Sequence, residues 1–185
     1  MKLLVVTASV RENRVGGIIG DWTTEFATNH AGFDEVESVD LRELNLPVFN
    51  EPNHPMAQDY KYDHTKKWSA IVDSADAIIF VLPEYNFFAP GSLVNAIDYL
   101  TKEWAYKPAG LVSYGGASGG MRSAQSIKPL LNTVKVVPMS ESVSFHMVNN
   151  YIDGEQVRAD KMHDESAAAM LDEMVRWTKA LTSLR

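Results

Sequence analysis

Residues 77–91 read Ala77-Ile78-Ile79-Phe80-Val81-Leu82-Pro83-Glu84-Tyr85-Asn86-Phe87-Phe88-Ala89-Pro90-Gly91. An unbroken apolar run stops at a proline and gives way to a loop of polar and aromatic residues. Such a run predicts a strand covered on both faces, as in a parallel sheet. Beyond the loop, Leu93, Ala96, Ile97 and Leu100 recur at helical spacing. They predict an amphipathic helix with Pro90 in its first turn.

The same unit recurs along the chain. Lys2 to Thr7 carries Leu3-Leu4-Val5-Val6, and Val15, Ile18, Ile19, Trp22 and Phe26 follow at helical spacing up to Gly32. Val36 to Leu41 alternates apolar with polar residues and predicts a second strand. Arg42 to about Tyr62, with Pro47, Pro52 and Pro55, predicts a long irregular loop, and Tyr60 to Ser74 a helix with Trp68, Ile71 and Val72 on one face. Pro108 opens a strand through Ser113. A helix with Ile127, Leu130, Leu131 and Val134 comes next, which Pro129 should kink or limit at its start. Lys135, Val136 and Val137 open a last strand, Tyr151 to Gln156 suggests a small hairpin, and a terminal helix starts near Asp160. This alternation predicts an α/β protein: a three-layer, flavodoxin-like, doubly wound parallel five-stranded sheet in the order 2-1-3-4-5, forming one domain over residues 1–185.

Composition narrows the function. Cysteine is absent, which excludes disulfides, a catalytic thiol and thiolate metal sites. Lys plus Arg number 17 against 24 Asp plus Glu, a net charge of −7. That balance argues against nucleic-acid and anionic-membrane partners, which need a basic face. No apolar run reaches the roughly 20 residues of a membrane span. A cytoplasmic location is the expectation. The five histidines are scattered without ligand spacing, so no metal site is expected.

In an open doubly wound sheet, ligands bind beyond the carboxyl ends of the strands where the strand order reverses. Three loops reach that point: Thr7 to Val15, Pro83 to Pro90 and Ser113 to Gly120. In the first, Ser9 and Arg11 stand before a helix start, whose free N–H groups favour an anion. The alternative for this loop alone is that Ser9 or Asn13 caps the helix and the arginines face water. In the second, Tyr85, Phe87 and Phe88 offer faces for a flat ring, unless the phenylalanines plug a core or subunit contact. In the third, glycines let the backbone approach a ligand closely. Gly116-Ala117-Ser118-Gly119-Gly120 also fits the G-x-S-x-G pattern of serine hydrolases, with His146 or His163 as partner. That reading leaves the anion loop unexplained.

The most specific motif is Pro83-Glu84-Tyr85-Asn86, then Pro90-Gly91 and Asn95-Ala96-Ile97-Asp98-Tyr99-Leu100. Lys107-Pro108 leads to Ser113-Tyr114-Gly115-Gly116 and Gly119-Gly120, while Ser9-x-Arg11, Leu46-Pro47 and Glu51-Pro52 complete the set. Together, from the first strand to about Val137, these resemble the NAD(P)H-dependent FMN reductase family, which includes azoreductases, quinone reductases and chromate reductases. The resemblance implies non-covalent FMN with NAD(P)H as cosubstrate. Ser9, Arg11, Arg14 and Val15 would hold the phosphate. Pro83, Glu84, Tyr85, Asn86 and Phe87 would lie along the isoalloxazine ring, and Ser113, Tyr114, Gly115, Gly116 and Gly119 toward its pyrimidine edge.

The resemblance also implies hydride passing through flavin N5 to a small acceptor (a quinone, azo compound, free flavin or metal oxyanion) by ping-pong turnover, with no catalytic side chain. An electron-carrying flavodoxin and a hydrolase using Ser118 are the alternatives. A homodimer or dimer of dimers is implied, with Trp104, Tyr106, Phe87 and Phe88 as interface candidates. Three positions depart from the family. Ala8 replaces a usual glycine, and Phe87-Phe88 replaces a frequent Gly-Ser, which implies a narrower, more apolar acceptor site.

Overall fold

The computed structural model describes all of residues 1–185. Strands β1 (Lys2–Thr7), β2 (Glu35–Asp40), β3 (Ala77–Pro83), β4 (Pro108–Tyr114) and β5 (Val137–Phe145) form one parallel sheet in the order β2-β1-β3-β4-β5. The order reverses between β1 and β3, which are paired from Leu3↔Ala77 to Thr7↔Val81. Helices α1 (Gly16–Asn29), α2 (Leu41–Leu44), α3 (Asp63–Ser74), α4 (Gly91–Asp98), α5 (Met121–Thr133) and α6 (Lys161–Leu181) complete the layers. A short antiparallel hairpin, β6 (Ile152–Asp153) with β7 (Gln156–Val157), precedes α6.

The two-residue period of the strands sorts the core into two layers. Leu4, Val6, Ile78, Phe80 and Leu82 pack with Trp68 and Val72 of α3, Leu93 and Ile97 of α4, and Ile127 and Leu131 of α5. Leu3, Val5, Ile79, Val81 and Val112 pack on the other face with Ile19 of α1 and Met170, Leu171 and Met174 of α6. Every residue of β3 and β4 is buried. Each large aliphatic side chain so placed contributes roughly 1.5–3 kcal/mol. These central strands therefore hold rigid the strand ends from which the three loops depart.

Several elements differ from the sequence pattern for identifiable reasons. Leu41 leaves β2 because Asp40 accepts the Arg42 N–H and caps the short α2. The stretch after it also contains a 3-10 turn, Pro55–Ala57, so it is not wholly irregular. Pro90 stands just ahead of α4 as its N-cap, outside the first turn. Pro129 does not limit α5, which starts at Met121 and continues to Thr133. Pro129 and Gln125, whose carbonyl loses its helical partner, both lie on the solvent side. β5 begins at Val137, because Lys135 has φ 62° and the Val136 N–H closes onto Leu131. Trp104 is wholly buried. Its indole donates to the Ile97 carbonyl at 3.1 Å and packs against Trp68 and Phe80, which removes it from any subunit contact.

Lys107 is also buried, with its ammonium donating to the carbonyls of Val72 (2.5 Å) and Asp73 (3.2 Å) near the end of α3. Burial pulls its pKa down from 10.5 to about 8, against the pull of Asp73. Between those values the unfolded chain binds more protons than the folded one, so this group favours folding increasingly as pH rises. Urea unfolding of wild type and Lys107→Met at pH 8 and at pH 10 checks this. The stability difference should move in favour of wild type at the higher pH.

Candidate functional site

The carboxyl ends of β1, β3 and β4 surround a cavity of about 230 Å³. Ser9, Arg11, Arg14 and Val15 line it from the first loop, Pro83, Glu84 and Tyr85 from the second, and Tyr114 and Gly115 from the third. The three loops singled out in the sequence thus share one cleft at the reversal point. Asn86, Phe87, Ser113, Gly116 and Gly119 do not line it. Asn86 and Phe87 form a turn tip at the rim. Ser113 is buried, with its hydroxyl donating to the Gly119 carbonyl at 2.9 Å, so this pair ties the glycine loop to β4. Gly116 is exposed, with open space where a Cβ would be.

The floor of the cleft is rich in hydrogen-bond donors. Val15 precedes α1 with no side chain capping that end, and the first helical bond runs from the Ile19 N–H to the Val15 carbonyl. The N–H groups ahead of it remain open, at the positive end of the helix dipole. Tyr114 reaches the same place. Its hydroxyl is buried without a hydrogen-bond partner, and burial holds its pKa well above the usual range. A Cβ on Gly16 would collide with that hydroxyl, so glycine is what lets α1 and Tyr114 meet. An unsatisfied buried hydroxyl costs about 1–3 kcal/mol.

The two arginines of the first loop have different duties. Arg14 forks onto the Asp40 carboxylate, donates to the Ser9 carbonyl and is 11% exposed. Its charge is spent on joining the loop to the end of β2. Arg11 is exposed, forms no ion pair and lies 6.0 Å from the centre of the Tyr85 ring. It is the arginine whose charge is available to a ligand. Ser9 is buried and shares a 2.8 Å hydrogen bond with the Tyr85 hydroxyl, which links the first loop to the second.

Glu84 links the second loop to the third. Its carboxylate, 9% exposed, accepts from the Ser118 hydroxyl (2.7 Å) and from Nε (2.7 Å) and the backbone N–H (3.2 Å) of Arg122. Burial alone would raise its pKa, but those bonds outweigh it and hold the group below the usual carboxylate range. Ser118 is therefore engaged with a carboxylate, and His146 turns its Nδ1 to the Ala117 carbonyl, so no serine–histidine hydrogen bond exists here. Beyond Glu84, Tyr85 and Phe88 exchange two backbone bonds of 3.0 Å around Asn86 (φ 52°) and Phe87 (φ 69°), a tight two-residue turn. Gly120, at φ 80°, precedes α5 as its N-cap, with no room for a Cβ against the Tyr114 backbone.

A fourth wall was not read from the sequence. Val148 and Asn149, after β5, line the cleft, as does Asn13 of the first loop. The N–H groups of Met147 and Val148 donate to the carbonyls of Gly116 (2.8 Å) and Gly115 (2.9 Å), which pins this turn to the glycine loop. Its position beyond the carboxyl end of the next strand was the available signal.

Fold and cleft together define a flavodoxin-like protein with a donor-lined pocket at the switch point of its sheet. The chain belongs to the NADPH-dependent FMN reductase family, whose model matches residues 1–150. It is 34% identical over 151 residues to an NAD(P)H-dependent FMN reductase of Nectria sp, covering 78% of this chain and 75% of that protein. It is 28% identical over 187 residues to a quinone reductase of Pseudomonas putida, covering 95% of this chain and 93% of the other. Among solved structures, FerB, a flavoenzyme NAD(P)H:(acceptor) oxidoreductase from Paracoccus denitrificans, superposes with a TM-score of 0.74 at 22% identity over 97% of both chains, which shows the shared fold. By family the protein is an oxidoreductase. No helix is long and apolar enough to cross a membrane.

The unequal roles of Arg14 and Arg11 are separable by stability. Arg14→Ala should lower the unfolding free energy by about 1.5–3 kcal/mol, because Asp40 is left without its charged donor. Arg11→Ala should change it by less than about 0.5 kcal/mol. Urea unfolding of the flavin-free proteins measures both.

Proposed function

We propose that this chain binds FMN non-covalently and uses it to carry electrons from NAD(P)H to a small organic acceptor of the quinone or azo type. The observation that carries the reading is the donor set at the start of α1: the unpartnered Tyr114 hydroxyl, the open N–H groups and the unpaired Arg11. It matches the chemistry of a phosphate monoester, which is all acceptor and negatively charged. Ser9 and Val15 complete the phosphate end. Tyr85 and the backbone of the turn after it, with Gly115 and Gly116 opposite, would border the ring. When bound, FMN would supply the two-electron chemistry, with hydride passing through N5 from NAD(P)H to the second substrate in ping-pong order.

The residues of the chain then bind, orient and screen. Glu84 stays ionised and holds Ser118 and Arg122 in place, so it fixes the spacing of the two loops that face the ring. No side chain in the cleft is needed as a proton donor for hydride transfer, and none is assigned one. A homodimer is part of the proposal. Its support is the exposed apolar strip Val10, Val48 and Phe49 beside the start of α4, where Val48 is 86% exposed.

Purified protein loaded with FMN should be yellow and should bleach on anaerobic addition of NADH or NADPH. Arg11→Ala should weaken FMN binding about tenfold or more, as expected for one charge-assisted phosphate contact. Protein that binds FMN but is not reduced by either nicotinamide would point to an electron carrier instead. Replacing Phe87 and Phe88 by Gly and Ser should change the ratio of kcat/KM values among quinone and free-flavin acceptors. Unchanged ratios would show that the two rings do not border the acceptor.

A further inference from the structure

Phe87 holds a backbone conformation that its side chain disfavours. With φ at 69° it lies in the left-handed region, where a bulky residue is an outlier and persists only if its surroundings hold it. Packing supplies little of that hold, because Phe87 is 62% exposed. One side chain does cover it. The guanidinium carbon of Arg122 lies 3.8 Å from the centre of the Phe87 ring. Arg122 is in turn fixed from behind by Glu84, whose other oxygen is shared with Ser118. A line of contacts therefore runs Ser118, Glu84, Arg122, Phe87. It crosses from the glycine loop and first turn of α5 to the tip of the β3–α4 loop. Those are the two loops between which the ring of the proposed flavin lies.

We infer that Arg122 is a specificity-determining positioning residue, which clamps the Phe87 ring as a fixed wall of the acceptor opening. The inference rests on the flavin reading of the cleft and goes beyond it in naming what shapes the entrance. A guanidinium suits this duty. It is flat, weakly hydrated and able to stack on an aromatic face while an edge N–H holds a carboxylate. An ammonium has the charge but not the plane. With the clamp closed, the tip presents a rigid apolar surface that favours a flat aromatic acceptor. With the clamp lost, only the two backbone bonds between Tyr85 and Phe88 hold the turn, so Phe87 departs from its positive φ more readily and the wall becomes more mobile. A flat quinone then loses a contact, whereas a hydrated inorganic oxidant that needs no wall is indifferent. Arg122 acts through Phe87 and touches no reacting atom in this scheme.

Two measurements test it, on wild type, Arg122→Gln, Arg122→Lys, Phe87→Gly and the Arg122→Gln/Phe87→Gly pair. The first needs no flavin. Chymotrypsin cleavage at Phe87 or Phe88 should be about threefold faster or more in Arg122→Gln than in wild type, the factor expected from losing an exposed cation–π contact. The second uses the FMN-loaded proteins with a naphthoquinone and with ferricyanide. Arg122→Gln should raise KM for the quinone by about threefold or more relative to KM for ferricyanide, while kcat with the quinone stays within about twofold. Arg122→Lys should recover only part of the quinone KM. In the Phe87→Gly background the Arg122→Gln effect should vanish. An equal effect in both backgrounds would mean that Arg122 works through Glu84 alone, and the clamp would be overturned. Unchanged cleavage at the tip would overturn it as well. Failure of the flavin reading shows itself separately, as wild type that takes up no FMN.

Discussion

The Tyr114 hydroxyl lies buried against the first turn of α1 with no partner in its own chain. Three features put it there. β4 is covered on both faces, so its last residue has no freedom to turn outward. Gly16 removes the side chain that would push α1 away. No side chain caps α1, so helix and hydroxyl present donors to the same small volume. A fold whose central strands are this well packed can carry one unsatisfied polar group at a cost of about 1–3 kcal/mol. In the proposed reading, an anion bound there would recover that cost.

Around that point the rim loops are tied to one another as well as to the sheet. Ser9 meets Tyr85, Arg14 meets Asp40, Ser92 donates to the Ala8 carbonyl at 2.5 Å, and Glu84 gathers Ser118 and Arg122. Each contact joins segments that leave different strands. The shape of the cleft is thus a property of the polar network as a whole, and the charge of Glu84 is part of it. The pKa of Glu84 is held down by its bonds to Ser118 and Arg122, so those contacts persist to lower pH than an ordinary glutamate would allow. Aromatic residues placed on this frame, Tyr85 inside and Phe87 at the tip, inherit its rigidity.

Much of this was legible in the chain because it depends on local pattern. The apolar runs Leu3–Val6 and Ala77–Leu82 predict strands buried on both faces, and the helical spacing between them points to the doubly wound order. The three loops followed from that order. What stayed hidden depends on distant partners. Nothing near Arg14 announces that Asp40 will take its charge, and nothing near Trp104 shows that the Ile97 carbonyl will take its indole N–H. Val148 and Asn149 escaped notice because β5 is an edge strand with several exposed residues, and its carboxyl end carries no glycine or charge to mark it. The stacking of Arg122 on Phe87 joins positions on two separate loops and needs the left-handed turn at Asn86 and Phe87 to form.

In the proposed reading, the phosphate is the part of FMN that the donors at the start of α1 would recognise, and riboflavin lacks it. Equilibrium titration of the flavin-free protein with FMN and with riboflavin, followed by quenching of flavin fluorescence, isolates that contribution. FMN should bind about a hundredfold tighter or more, a difference of roughly 2.7 kcal/mol. Equal affinities for the two flavins would show that the donors at the start of α1 do not hold a phosphate, and would contradict the assignment of the cleft.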